Sequence, residues 1–115
     1  MSRSPTRVSL KEHRDWRPDA LPKDVVYIGR AVHRGGWHLP DSPFANHVAS
    51  AAAVGHAEAA RLYEEAMRGH LAAGDGPVSA AEIKGLAGHR LACFCTPEEV
   101  CHADVLIRLW HELEG

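Results

Sequence analysis

Cysteine is scarce in this chain: 115 residues hold three, at positions 93, 95 and 101. An odd count cannot pair completely, and thiols in a reducing compartment stay free, so no disulfide framework is expected. Cys93 and Cys95 are also ill-spaced for each other, because two extended residues span roughly 6.6 Å, near the upper limit of disulfide geometry. Long apolar runs are lacking as well. Nothing approaches the roughly 20 residues that cross a bilayer, and the opening MSRSPTRVSLKEHRD has no apolar centre of a secretory signal. A cytoplasmic protein with no membrane partner is the expectation. Nor is one charge in excess: 13 Lys and Arg stand against 15 Asp and Glu, a net charge of −2. That leaves no global attraction to nucleic acid, and no basic helix or arginine face supplies a local one, so nucleic acid is not an expected partner. No segment repeats or is low in complexity. No Walker loop occurs, since the glycines of GRAVHRGG lack the spacing of a phosphate cradle.

What is present suffices for a single small domain, residues 1–115, with residues 1–5 as a flexible N-terminus. TRVSL (Thr6 to Leu10) is β-prone, and the polar KEHRDWRPDALPKD after it, interrupted by Pro18 and Pro22, reads as a loop. VVYIGR (Val25 to Arg30) is the strongest strand, apolar on both faces, and is expected at the centre of the sheet. AVHRGGWHLPDSPFANHV contains Gly35, Gly36, Pro40 and Pro43 and cannot be regular; loops of that length are uncommon unless they bind something. From about His56 to Leu71 an amphipathic helix turns Ala59, Leu62, Tyr63, Ala66 and Met67 inward, with Glu64 and Arg68 paired on its outer side. Ser50 is a candidate cap for it and Gly55 an interruption. SAAE (Ser79 to Glu82) is a capping box for a short helix ending near Gly88. HRLACFC is a strand apolar on both faces, and TPEE after it predicts a helix start, with Thr96 as cap and Pro97 as first helical residue. The final helix buries His102, Val105, Leu106, Leu109, Trp110 and Leu113. This order predicts an α/β fold: a mostly parallel sheet of three to four strands with helices packed on it in two or three layers. Trp16 or Trp110, if exposed, would mark a homodimer surface.

In parallel sheets ligands gather beyond the carboxyl ends of the strands. The two buried strands end at Gly29-Arg30 and Cys95-Thr96, so the loop from His33 to Asn46 and the helix start at Thr96 should share one crevice. The ligand-binding candidates are Tyr27, Gly29, Arg30, Trp37, Ser42, Asn46, Cys95 and Thr96. Arg30 could hold phosphate or carboxylate, and Asn46 could read a polar edge. Trp37 could stack on a base or sugar, or equally plug the loop onto the core.

CFCTPEEVCH, residues 93–102, gathers every cysteine beside His102. Cys93, Cys95, Cys101 and His102 are the donor types of a closed tetrahedral zinc site. Zinc ribbons, however, present Cys-x-x-Cys on a turn, whereas Cys93 and Cys95 read as strand residues, and adjacent Cys101 and His102 diverge by about 100° on a helix. The preferred assignment therefore has no metal and no cofactor. A thiol at a helix N-terminus is activated by the dipole. Cys95 or Cys101 as nucleophile, His102 as base and Asp104 as its orienter make a sensible catalytic trio. The alternative is that Cys93 and Cys95 are small buried hydrophobes, while His102 and Asp104 hydrogen-bond the loop.

VYIGR, GGWHLPDSPFAN, LYEE and LAGHRLACFCTPEEVCHADVL together resemble a bacterial and phage family, domain-of-unknown-function family 4326, from about Thr6 to Leu109. Cys-x-Cys followed by Cys-His-x-Asp is the most specific part. The family loop usually reads Trp-x-Asn-Pro-Phe, and Phe44-Ala45-Asn46-His47-Val48 stands in its place here. The resemblance implies a shared fold and site, and its phage context points to nucleotide or nucleic-acid metabolism. The expectation is a protein that binds a nucleotide- or nucleoside-like small molecule, with Cys101, His102 and Asp104 carrying transfer or hydrolysis if it is an enzyme. The alternatives are a non-catalytic nucleotide-sequestering protein and a zinc-stabilised interaction module.

Overall fold

The computed structural model describes residues 3–17, 20–96 and 98–114. Among them, three short β-prone runs form one sheet: β1 (Thr6–Ser9), β2 (Val25–Tyr27) and β3 (Arg90–Cys93). Both pairings are parallel, in the order β1-β3-β2, with Arg90 opposite Thr6 on one side and Val25 on the other. The fold is α/β, as the alternation of strands and helices predicts. The central strand is β3, not the VVYIGR segment. Leu91 and Ala92 of β3 are fully buried, with a strand on each side. VVYIGR is shorter as a strand than expected and has one neighbour. Its second apolar face is covered by two short 3-10 turns, Leu10–Glu12 and Arg14–Trp16, and by loop, since Val25 and Tyr27 pack with Leu10, Trp16 and Leu39 rather than against a layer of long helices.

The opposite face of the sheet carries the helices α2 (His56–Ala73), α3 (Ala80–Lys84) and α4 (His102–Glu114), with the short α1 (Ala51–Val54) set against α2. Gly55, at φ 90°, takes a backbone conformation that L side chains resist and so divides α1 from α2. Ser50 caps α1, its Oγ accepting from the Ala53 N–H, and not the longer helix. The Ser79–Glu82 capping box forms with both hydrogen bonds present. Tyr63 and Met67 of α2 and Val105, Leu106, Leu109 and Trp110 of α4 meet Leu91 and Ile83 in the main core. Each large aliphatic side chain so buried contributes about 1.5–3 kcal/mol. On the outside, Arg68 bridges Glu64 and Glu112, and Arg108 also donates to Glu64, tying α2 to α4.

Three expectations are corrected. The helix start at Thr96 is a single turn: Glu99 N–H bonds the Thr96 carbonyl and Glu99 Oε1 accepts from Thr96 N–H, but the regular helix begins only at His102. The local cap signal is satisfied within that turn and does not propagate. Pro97, like Pro18, lies outside the described residues. Second, part of the expected flexible N-terminus is anchored: the Arg3 carbonyl accepts from Gly88 N–H and Pro5 is buried. Met1 and Ser2 lie outside the described residues. Third, Trp16 and Trp110 are only 9% and 4% exposed and offer no dimer surface. Trp16 stacks on His13 under the Arg90 guanidinium, and Trp110 donates to the Lys84 carbonyl.

Candidate functional site

A crevice of about 320 Å³ opens beyond the carboxyl ends of β2 and β3, where parallel-sheet proteins place ligands. Gly29 and Arg30 continue from β2 along one wall, and Asn46 and Ser50 lie on the next. His56, Ala59 and Ala60 of α2 form a third, and half-exposed Val100 borders it. The floor is the end of β3 and the approach to α4: Cys93, Cys95, Cys101 and His102.

Three backbone features place the floor residues. Cys93 is the last residue of β3, and Cys95 lies beyond it in a bend rather than on the strand. Cys101 immediately precedes α4, its N–H bonded to Asp104 Oδ2 and its carbonyl accepting from Asp104 N–H. The three sulfur atoms lie within 4.8 Å of one another. Cys101 Sγ donates to Cys93 Sγ at 3.2 Å, a contact that lowers the Cys93 thiol below its ordinary range and raises that of Cys101. Cys93 and Cys101 are each 2% exposed, and Cys95 is half-buried.

Both neighbouring imidazoles have their outer nitrogen engaged. His102 Nε2 is 2.6 Å from the Ile28 carbonyl oxygen, which can only accept, so this nitrogen carries the proton. Its Nδ1 then presents a lone pair 3.6 Å from Cys101 Sγ. Burial lowers the His102 pKa and favours the neutral ring. His56 Nε2 is 2.6 Å from Glu99 Oε2, and its Nδ1 is 3.8 Å from Cys95 Sγ.

Of the residues expected here, Tyr27, Gly29, Arg30, Asn46, Cys95, Cys101 and His102 line the crevice. Trp37, Ser42, Thr96 and Asp104 do not. Trp37 meets Phe94 edge to face at 5.6 Å and closes the loop onto the second core. Ser42 is buried, its Oγ accepting from Phe44 N–H. The Thr96 carbonyl accepts from Arg7. Asp104 takes Arg7 Nη1 at 2.9 Å and the Cys101 N–H, and its carboxylate is not on His102. The Cys101–His102–Asp104 relay is therefore not assembled, because the acceptor that holds the His102 ring is the Ile28 carbonyl. Asn46 is a clasp: its amide donates to the Ala59 carbonyl, its Oδ1 accepts from Val48 and Ala49, and its own carbonyl holds the Arg30 guanidinium. His47, where the resembled family has proline, pairs with Asp41 on the surface. Phe94, Val100 and His56 were not foreseen. His56 opens a helix far from the cysteines in sequence, and no local spacing links it to them.

Residues 8–112 match a family described as Domain of unknown function (DUF4326). The chain belongs to the DUF4326 family. The match spans every strand end and helix that borders the crevice, so the site described above lies wholly within the DUF4326 domain. No curated protein and no solved structure matches the chain. Among the described residues no helix is long and apolar enough to cross a membrane.

Proposed function

We propose that this protein is a small-molecule binder whose crevice takes a nucleotide- or nucleoside-like ligand bearing an anionic group. The observation that carries this reading is the crevice beyond the β2 and β3 ends, with largely apolar walls and one cation, Arg30, on its side. Arg30 Nε and Nη2 are held by the Asn46 carbonyl, which fixes the guanidinium while Nη1 has no partner among the described residues. The N-terminus of α2 adds to the attraction. Gly55 supplies no side-chain cap, so the first N–H groups of an 18-residue helix remain available to an anion beside His56 and Ala59. Binding without covalent catalysis is the better-supported form of the reading. A thiol nucleophile needs exposure and a positioned base, whereas Cys101 is 2% exposed and keeps its proton in a hydrogen bond donated to Cys93 Sγ.

The test is a titration of nucleosides and their mono- and diphosphates by calorimetry, on the natural chain and on Arg30→Met. Saturable binding of a phosphorylated compound is expected, weakened about 10-fold or more by Arg30→Met, with the parent nucleoside less affected. No saturable binding across the set, or equal affinity in the variant, sinks the proposal.

A further inference from the structure

We propose that the three thiols on the crevice floor are ligands of a bound zinc ion, with Nδ1 of His102 as the fourth donor. This stands apart from the nucleotide reading and reverses the assignment of no metal that sequence spacing suggested. Both objections drawn from spacing disappear in the fold. Cys95 lies in a bend past the end of β3, so the two cysteines do not both sit on a rigid strand; Cys101 precedes α4, so helical divergence from His102 does not apply.

Three soft donors are already gathered; His102 Nδ1, which faces Cys101 Sγ alone, is not part of that mutual cluster and would turn toward the ion to complete the set. Sulfur atoms on one tetrahedral zinc stand about 3.8 Å apart, given Zn–S bonds of about 2.3 Å. The three sulfurs here lie within 4.8 Å of one another, with Cys93 and Cys101 3.2 Å apart. Three protein segments supply them: a strand end, a bend and the residue before a helix. Metal-binding histidines almost always donate their other ring N–H to a carbonyl or carboxylate, which fixes the tautomer. His102 does this to Ile28, leaving Nδ1 as acceptor 3.6 Å from Cys101 Sγ, and the edge of its ring contact with Tyr63 restrains the imidazole further. His56 has the same polarity through Glu99 but stands more exposed, on a different element, against Cys95 alone.

Three thiolates, one Zn²⁺ and a neutral imidazole sum to −1. The Arg7 side chain, 14% exposed, is held beside the cluster by Asp104 and the Thr96 carbonyl; that ion pair orients a cation toward the sulfurs without neutralising the site. On binding, three S–H protons leave to solvent as three Zn–S bonds form, with no change of oxidation state. A thiolate-rich set favours zinc over magnesium or calcium, which prefer oxygen.

The test combines zinc analysis of the purified chain, a native thiol count with and without chelator, and titration with Co²⁺ as a spectroscopic substitute. Expected are about one zinc per chain, thiols that react only after chelation, and a thiolate-to-cobalt charge-transfer band. Cys95→Ser and Cys101→Ser should weaken cobalt affinity by about 10-fold or more, as should His102→Gln, while His56→Gln leaves it unchanged. Cys95 is half-buried, so its variant guards against loss of the fold; circular dichroism confirms folding for each. Metal-free protein without a charge-transfer band overturns the proposal, as do thiols released only by reductant, which would mean a Cys93–Cys101 disulfide. Loss of cobalt with His56→Gln but not with His102→Gln overturns the fourth ligand. Nucleotide titrations on Arg30→Met read the other proposal separately.

Discussion

His102 Nε2 lies 2.6 Å from the carbonyl oxygen of Ile28, a hydrogen bond across 74 positions of sequence that ties the first turn of α4 to the chain leaving β2. It accounts for the orientation of the ring and closes the floor of the crevice. Replacing His102 by Leu removes the donor and leaves the Ile28 carbonyl without this partner. The expected loss is about 1–3 kcal/mol of unfolding free energy, the usual cost of stranding a buried polar group. Urea denaturation with chelator present in both samples reads the hydrogen bond without any metal contribution. Unchanged stability would show that water replaces the imidazole.

Gly29 is required by Tyr27. A Cβ at position 29 would stand 2.7 Å from Tyr27 Cζ, and the Tyr27 hydroxyl is committed to the Arg30 carbonyl at 2.5 Å. Gly29→Ala should therefore displace the ring and cost about 1–3 kcal/mol through overpacking. In a Tyr27→Ala background most of that penalty should vanish, and a double-mutant cycle by denaturant melts measures the coupling. An equal penalty in both backgrounds would place the strain in the backbone instead.

Glu64 makes the α2–α4 contact pH-dependent. Burial alone would raise its carboxyl, but hydrogen bonds from Arg68 and Arg108 outweigh burial and hold it below the ordinary range. A carboxyl lowered in the folded state adds stability above its unfolded value, about 4.3, and loses it as pH falls through the folded value. The denaturation midpoint should thus fall as pH drops below about 4.5, less steeply in Glu64→Gln and less steeply at high salt, because the pair is partly solvated. Parallel pH profiles for the two chains would remove Glu64 from the account.

The inward stripes of α2 and α4, the Ser79 capping box, the parallel α/β arrangement and the family were all legible in the residues, because periodicity and caps act over one or two helical turns. The sequence by itself also determined that every thiol is concentrated in residues 93–102. Tertiary structure alone decided which strand is central, since an apolar second face reads the same whether a strand or a folded loop covers it, and here Leu39 and Trp16 cover Val25. It likewise decided where α4 begins, because the Thr96–Glu99 contacts close a single turn and Asp104, bonded to the Cys101 N–H, supports the later start at His102. The partners of the floor were hidden for a similar reason. His56 meets Cys95 across 39 positions, and Arg7 rather than His102 takes Asp104 across 97. Such contacts arise only when β1, β3 and the two long helices pack, and no local pattern in the chain records which side chains that packing brings together.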